Sequence, residues 1–135
     1  KTIEFERTGI SMTGSQETPP NTASGLGTLN VHYNRNTKIL TYSAAWSGLT
    51  GAVTAMHIHG LAPGGFAAGV VQTISTSAIA KCSGSGNTSC GSYNGTLYVD
   101  GVVVKEQDLL NGVYYLNIHT AAFPGGEIRG QVIFQ

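Results

Sequence analysis

His57 and His59 lie in the stretch AVTAMHIHG. On a strand the side chains alternate, so both imidazoles take one face while Met56 and Ile58 take the other. Same-face neighbours stand about 6.5–7 Å apart, which lets two rings converge on one ion through their outer nitrogens. His119 ends a second such stretch, VYYLNIH, on the face that carries Val113, Tyr115 and Asn117. Where the two strand ends meet, three neutral imidazoles surround one point. Imidazole suits copper, zinc, iron and nickel, so the set indicates a metal site without choosing the metal. The competing reading is three solvated histidines. His32, flanked by Asn30 and Asn34 in another alternating stretch, reads as outward-facing.

Two polar clusters accompany the histidines. In the first, Ile128, Val132 and Phe134 form one face of the last strand and leave Glu127, Arg129 and Gln131 on the other. An arginine at a metal rim offers a small anion paired donors from a rigid fork, which makes Arg129 the candidate catalytic group. The alternative is a Glu–Arg or Arg–carbonyl contact that pins the loop Pro124-Gly125-Gly126. The second cluster is Ser15-Gln16-Glu17-Thr18-Pro19-Pro20, in which Glu17 is a candidate ligand, an acceptor that orients an imidazole N–H, or a loop anchor.

Other chemistries find little support. There is no Gly-x-Ser-x-Gly elbow, no pair of catalytic carboxylates and no phosphate-binding glycine motif after a strand. Seven Lys+Arg balance seven Asp+Glu, so the clustered surplus of cations that nucleic-acid binding needs is missing. No apolar run approaches the roughly 18 residues of a membrane-spanning helix. Cys82 and Cys90 bracket a Ser/Gly/Asn loop. In an exported protein they pair, for about 2–3 kcal/mol of loop-closure entropy, whereas in the cytosol they stay reduced. The chain opens on Lys1 rather than Met, which fits a processed, exported chain or a trimmed domain.

The elements that must position these residues are strands. The chain has 135 residues, 19 of them glycine, and only 10% charged, which fits one domain over residues 1–135. Leu29, Val31 and Tyr33 alternate with Asn30, His32 and Asn34, and Asn34-Arg35-Asn36-Thr37 turns the chain into Ile39–Ser43. Further strands are expected at about 2–12, 53–59, 69–79, 93–104, 113–119 and 127–134, with one helical turn at Lys105–Leu110. Seven or eight short strands separated by glycine turns predict an all-β, antiparallel Greek-key sandwich or flattened barrel, closed so that no edge is left exposed.

Three stretches carry a resemblance: GSQETPPN (14–21), LTGAVTAMHIHG (49–60) and YYLNIHTAAFPGGEIRGQV (114–132). With these the chain resembles the CHRD domain family, first described in chordin, over essentially Gly14 to Val132. The family's motifs fall on Gln16-Glu17-Pro19, His57–Gly60 and Asn117–Thr120 through Gly130. The resemblance implies export, to the extracellular space or the periplasm, but no settled activity.

A more distant resemblance is to the copper/zinc superoxide dismutases, Greek-key barrels with a His-x-His strand, a late histidine, an arginine near the C-terminus and a disulfide. His57, His59, His119 and Arg129 are similar in order and type. No histidine lies between His59 and His119, so the bridging imidazolate and the zinc ligands have no counterpart. That similarity implies one mononuclear copper site (zinc as the alternative) with water, Glu17 or Met12 as fourth ligand and superoxide or another small anion as reactant. The rival expectation is a non-enzymatic adhesion or protein-interaction module, as the repeated use of the domain in chordin implies.

Overall fold

The computed structural model describes residues 1–134. Among the described residues nine strands lie at Glu4–Thr13 (β1), Leu26–Asn34 (β2), Ile39–Ser47 (β3), Val53–Gly60 (β4), Val70–Ile74 (β5), Ala80–Lys81 (β6), Gly91–Tyr98 (β7), Tyr114–Thr120 (β8) and Ile128–Gln131 (β9). One short helix, α1, spans Glu106–Leu110. The strands form one antiparallel sheet in the order β5-β4-β8-β9-β1-β2-β3-β7-β6. The connections β3 to β4, β5 to β6 and β7 to β8 carry the chain between the two wings of the sheet.

Alternation explains the ladder. In β2 and β3, Leu29, Val31, Tyr33, Leu40, Tyr42, Ala44 and Trp46 are buried, while the residues between them face outward. Between these strands the Asn34 side chain accepts hydrogen bonds from the amides of Asn36 and Thr37, and Lys38 takes a positive φ to close the turn. His32 lies outward as expected, with Nε2 2.9 Å from Glu4 Oε1.

The strand count exceeds the expected seven or eight, because the two-residue β6 gives no alternation to read. Three strands are also shorter than their apolar runs. The expected 69–79 strand stops at Ile74, before a 3₁₀ turn at Thr76–Ala78. The 93–104 strand stops at Tyr98, because Asp100 Oδ1 gathers the amides of Val102, Val103 and Val104 into a turn. Pairing of the last strand ends at Gln131.

The sheet curls toward a barrel but does not join its edges by a backbone ladder. Instead Gln72 on β5 crosses the seam: its Oε1 accepts from Tyr42 Oη at 2.6 Å and its Nε2 donates to the Thr96 carbonyl at 2.8 Å. Cys82 and Cys90 form a disulfide that closes the β6–β7 loop. Among the described residues no helix is long and apolar enough to cross a membrane.

Candidate metal centre

One extra residue in β4 decides which face carries the histidines. Val53 pairs with Thr120 but Ala55 with His119, so Thr54 bulges out of the ladder. Val53, Met56 and Ile58 thereby all enter the core, and His57 and His59 take the opposite face. Pairing across the wing aligns His59 with Tyr115 and Gln131, and His57 with Asn117 and Arg129. His119 follows two residues along β8 on the same side. This second face is therefore polar, while Met56, Ile58, Leu116, Ile118 and Ile128 fill the core behind it.

A polar face on a sheet is ordinarily wet, but this one is roofed. Arg129 donates from Nη1 to the Phe66 carbonyl at 2.7 Å and from Nη2 to the Pro63 carbonyl at 3.1 Å. Gln131 Nε2 donates to the Ala62 and Gly112 carbonyls. The Ala68 amide donates to Tyr115 Oη at 3.0 Å. These bonds hold the 61–69 loop over the strands and leave Arg129 only 1% exposed. The anchored loop is thus the first Pro-Gly-Gly turn, at 63–65, not the one at 124–126. The Arg–carbonyl contact weighed from the sequence exists, with a different partner. Those donors point at the roof rather than at the histidines.

Tyr115 lies between Arg129 and His59. The Arg129 guanidinium carbon stands 3.5 Å from the centre of the Tyr115 ring, and the His59 ring stacks on the same phenol at 4.8 Å and 7°. Both groups on one face would collide, so they occupy opposite faces.

The three imidazoles come together. Their ligand atoms lie within 4.8 Å of one another, and His57 Nδ1 is 3.3 Å from His119 Nε2. Loop carbonyls set the aim of two rings: His59 Nδ1 donates to Ala68 O at 2.9 Å, and His119 Nδ1 donates to Pro124 O at 2.8 Å. A carbonyl only accepts, so each of these Nδ1 atoms carries the hydrogen and the neutral ring keeps its Nε2 lone pair free for a cation. Two metal–nitrogen bonds of about 2.1 Å span at most about 4.2 Å when trans and about 3.0–3.4 Å at 90–110°, so the widest pair of rings must draw in to close on one ion. Burial, reinforced by the charges of the neighbouring rings, lowers the pKa of His57. Burial also lowers that of His59, against the opposing pull of the Ala68 and Asn117 contacts. Both rings are thereby kept in the neutral form that binds metal.

Glu17 stands outside this trio. Asn21 donates to the Gly126 and Glu127 carbonyls and holds the 14–21 segment against the 121–127 loop. Glu17 is buried there, its Oε2 without a hydrogen-bond partner among the described residues. Burial pushes its pKa up to about 7, offset in part by the Asn117 amide and the charge of Arg129. Met12 is fully buried in the core, with its side chain against Gly130, on the far side of the sheet from the rings. Two residues that sequence reasoning left without a role, Tyr115 and Asn117, are central. The alternation that placed them on the face of His119 was the signal that could have found them.

The remaining buried carboxylate is structural. Glu127 accepts from the amide and hydroxyl of Thr50 and from the hydroxyl of Thr120. It ties the β3–β4 loop to the end of β8.

No curated protein and no solved structure matches the chain. A family model, the CHRD domain, matches residues 8–132, a span that contains all three histidines, Asn117 and Arg129. The chain belongs to the CHRD domain family.

Proposed function

We propose that this chain is an exported metal-binding protein that holds one copper ion on His57, His59 and His119. The observation that carries the reading is the aim of the rings: two Nδ1–H groups are committed to loop carbonyls, and three ligand nitrogens face one another within 4.8 Å. Copper is favoured over zinc because Cu(II) heads the affinity order of divalent ions for a nitrogen site. The similarity to copper/zinc superoxide dismutases points the same way. Export to the extracellular space or the periplasm accords with the Cys82–Cys90 disulfide.

Arg129 enters this reading as a positioning group. Its guanidinium backs Tyr115, which backs His59, and its donors serve the 63–66 turn. Superoxide turnover would draw on the same three rings without a steering cation supplied by Arg129. The reading is therefore binding, delivery or storage of the ion.

The test is thermal unfolding with and without Cu(II). At one hundred times the dissociation constant a native-state ligand adds about 2.7 kcal/mol, a rise on the order of 10 °C for a chain of this size. His119→Ala is expected to lose that rise. An identical melting temperature with and without Cu(II) and Zn(II) sinks the proposal. A second reading, a protein-interaction module, is favoured by one observation: Tyr98, Val102 and Val103 are 62%, 76% and 64% exposed close together in sequence.

A further inference from the structure

The carboxamide of Asn117 sits where a ligand would. It is 3% exposed, and its Oδ1 lies 2.9 Å from His59 Nε2 and 3.0 Å from His119 Nε2. These are hydrogen-bond distances, but neither contact has a hydrogen to share. Both rings spend their N–H on loop carbonyls, so each Nε2 of a neutral ring presents a lone pair, and a carboxamide oxygen presents only lone pairs. Turning the amide over would give the rings a donor, but it would set the oxygen towards Glu17, whose buried Oε2 meets it without lone-pair repulsion only while that carboxyl keeps its proton. Three electron-rich atoms, Asn117 Oδ1 and the Nε2 atoms of His59 and His119, thus crowd together beside His57 Nδ1, and a cation between them removes the conflict.

The spacing agrees. Ligand atoms held at about 2.0–2.1 Å from one ion and separated by angles of 90–110° lie about 2.9–3.4 Å apart. The contacts Asn117 Oδ1–His59 Nε2, Asn117 Oδ1–His119 Nε2 and His57 Nδ1–His119 Nε2 measure 2.9, 3.0 and 3.3 Å. We propose that Asn117 Oδ1 is a fourth ligand, making an N₃O set of three imidazoles and one neutral oxygen for a divalent transition-metal ion. The inference rests on the three-histidine reading and adds to it a ligand that approaches from the strand between His57 and Arg129. Its oxygen is harder than imidazole nitrogen and carries no charge, which tempers the preference for soft ions.

The experiment uses the full chain with Cu(II) and Zn(II) as probes. Asn117→Leu removes the oxygen at similar volume, and Asn117→Asp replaces it with an anionic one. Asn117→Leu is expected to bind Cu(II) at least tenfold more weakly, with a changed g∥ and hyperfine splitting in the EPR spectrum. Asn117→Asp is expected to bind at least tenfold more tightly. The wild type gives a readout that needs no variant to fold: on addition of diamagnetic Zn(II), the ¹³C resonance of the Asn117 carboxamide moves. An unmoved resonance, or a Leu variant whose Cu(II) spectrum is that of the wild type, overturns the assignment while leaving the three histidines in place. A wild type that takes up neither ion fails at the earlier step, because no Cu(II) spectrum forms at all.

Discussion

The guanidinium of Arg129 lies against one face of the Tyr115 ring, at 3.5 Å from its centre, with the His59 ring stacked on the other. A cation, a phenol and an imidazole therefore form one layered unit spanning β9, β8 and β4. Removing the outer layer should be felt at the inner one. Arg129→Met leaves the Pro63 and Phe66 carbonyls without their charged donor and should cost about 1.5–3 kcal/mol in urea denaturation. It should also weaken Cu(II) binding, since the loop that supplies Ala68 O loses its anchor. Arg129→Lys should recover only part of either loss, because a single ammonium cannot reproduce the fork. Full Cu(II) affinity in the Met variant would show that the roof does not position His59.

Glu17 predicts an inverted pH dependence. Its folded pKa, about 7, lies above the ordinary carboxylate value of 4.5, so the folded chain holds a proton that the unfolded chain has released. Its contribution is present below pH 4.5 and is lost as pH rises through about 7. The most it can cost is about 3 kcal/mol. Glu17→Gln should flatten that decline, giving a variant more stable than the wild type at pH 8 and no more stable at pH 4. Urea midpoints at the two pH values decide it.

Gly126 predicts a coupling between backbone and site. Its φ of +123° disfavours any side chain, and a Cβ there would stand 2.7 Å from Asn117 Nδ2 and in collision with Glu17 Oε2. Gly126→Ala should therefore destabilise by about 1–3 kcal/mol and also lower Cu(II) affinity, as calorimetric titration would record. Gly125, which has open space at its Cβ position, is the control: Gly125→Ala should leave Cu(II) affinity at the wild-type value.

The disulfide predicts the opposite separation. Replacing Cys82 and Cys90 with serine should cost about 2–3 kcal/mol of stability through the unfolded chain. Cu(II) affinity below the melting transition should stay within a factor of two or three, since the bridged loop meets β4 at Val53, whose amide donates to Thr88 Oγ1, at the strand end away from His59.

Much of this arrangement is legible in the order of residues. Period-two alternation locates β2, β3, β4 and β8, and it puts His57 with His59 and Tyr115 with Asn117 and His119. What it cannot give is partnership between distant segments. Nothing near Arg129 signals that its acceptors are the carbonyls of Pro63 and Phe66, because a backbone carbonyl has no identity in the sequence. Glu17 reads equally well as ligand or anchor until Asn21 is seen to hold its segment against the 121–127 loop. The bulge at Thr54 is invisible for a related reason: register belongs to a pair of strands, and either strand alone looks regular.

The carbonyls that fix the tautomers of His59 and His119, those of Ala68 and Pro124, belong to connecting loops rather than to the ladder. Ligand identity and ligand orientation are thus written in different parts of the chain. Two relatives could keep the same three rings and still differ in which ion they select, simply by drifting in those loops. Matching histidines between such proteins would then be a poor guide to a shared metal.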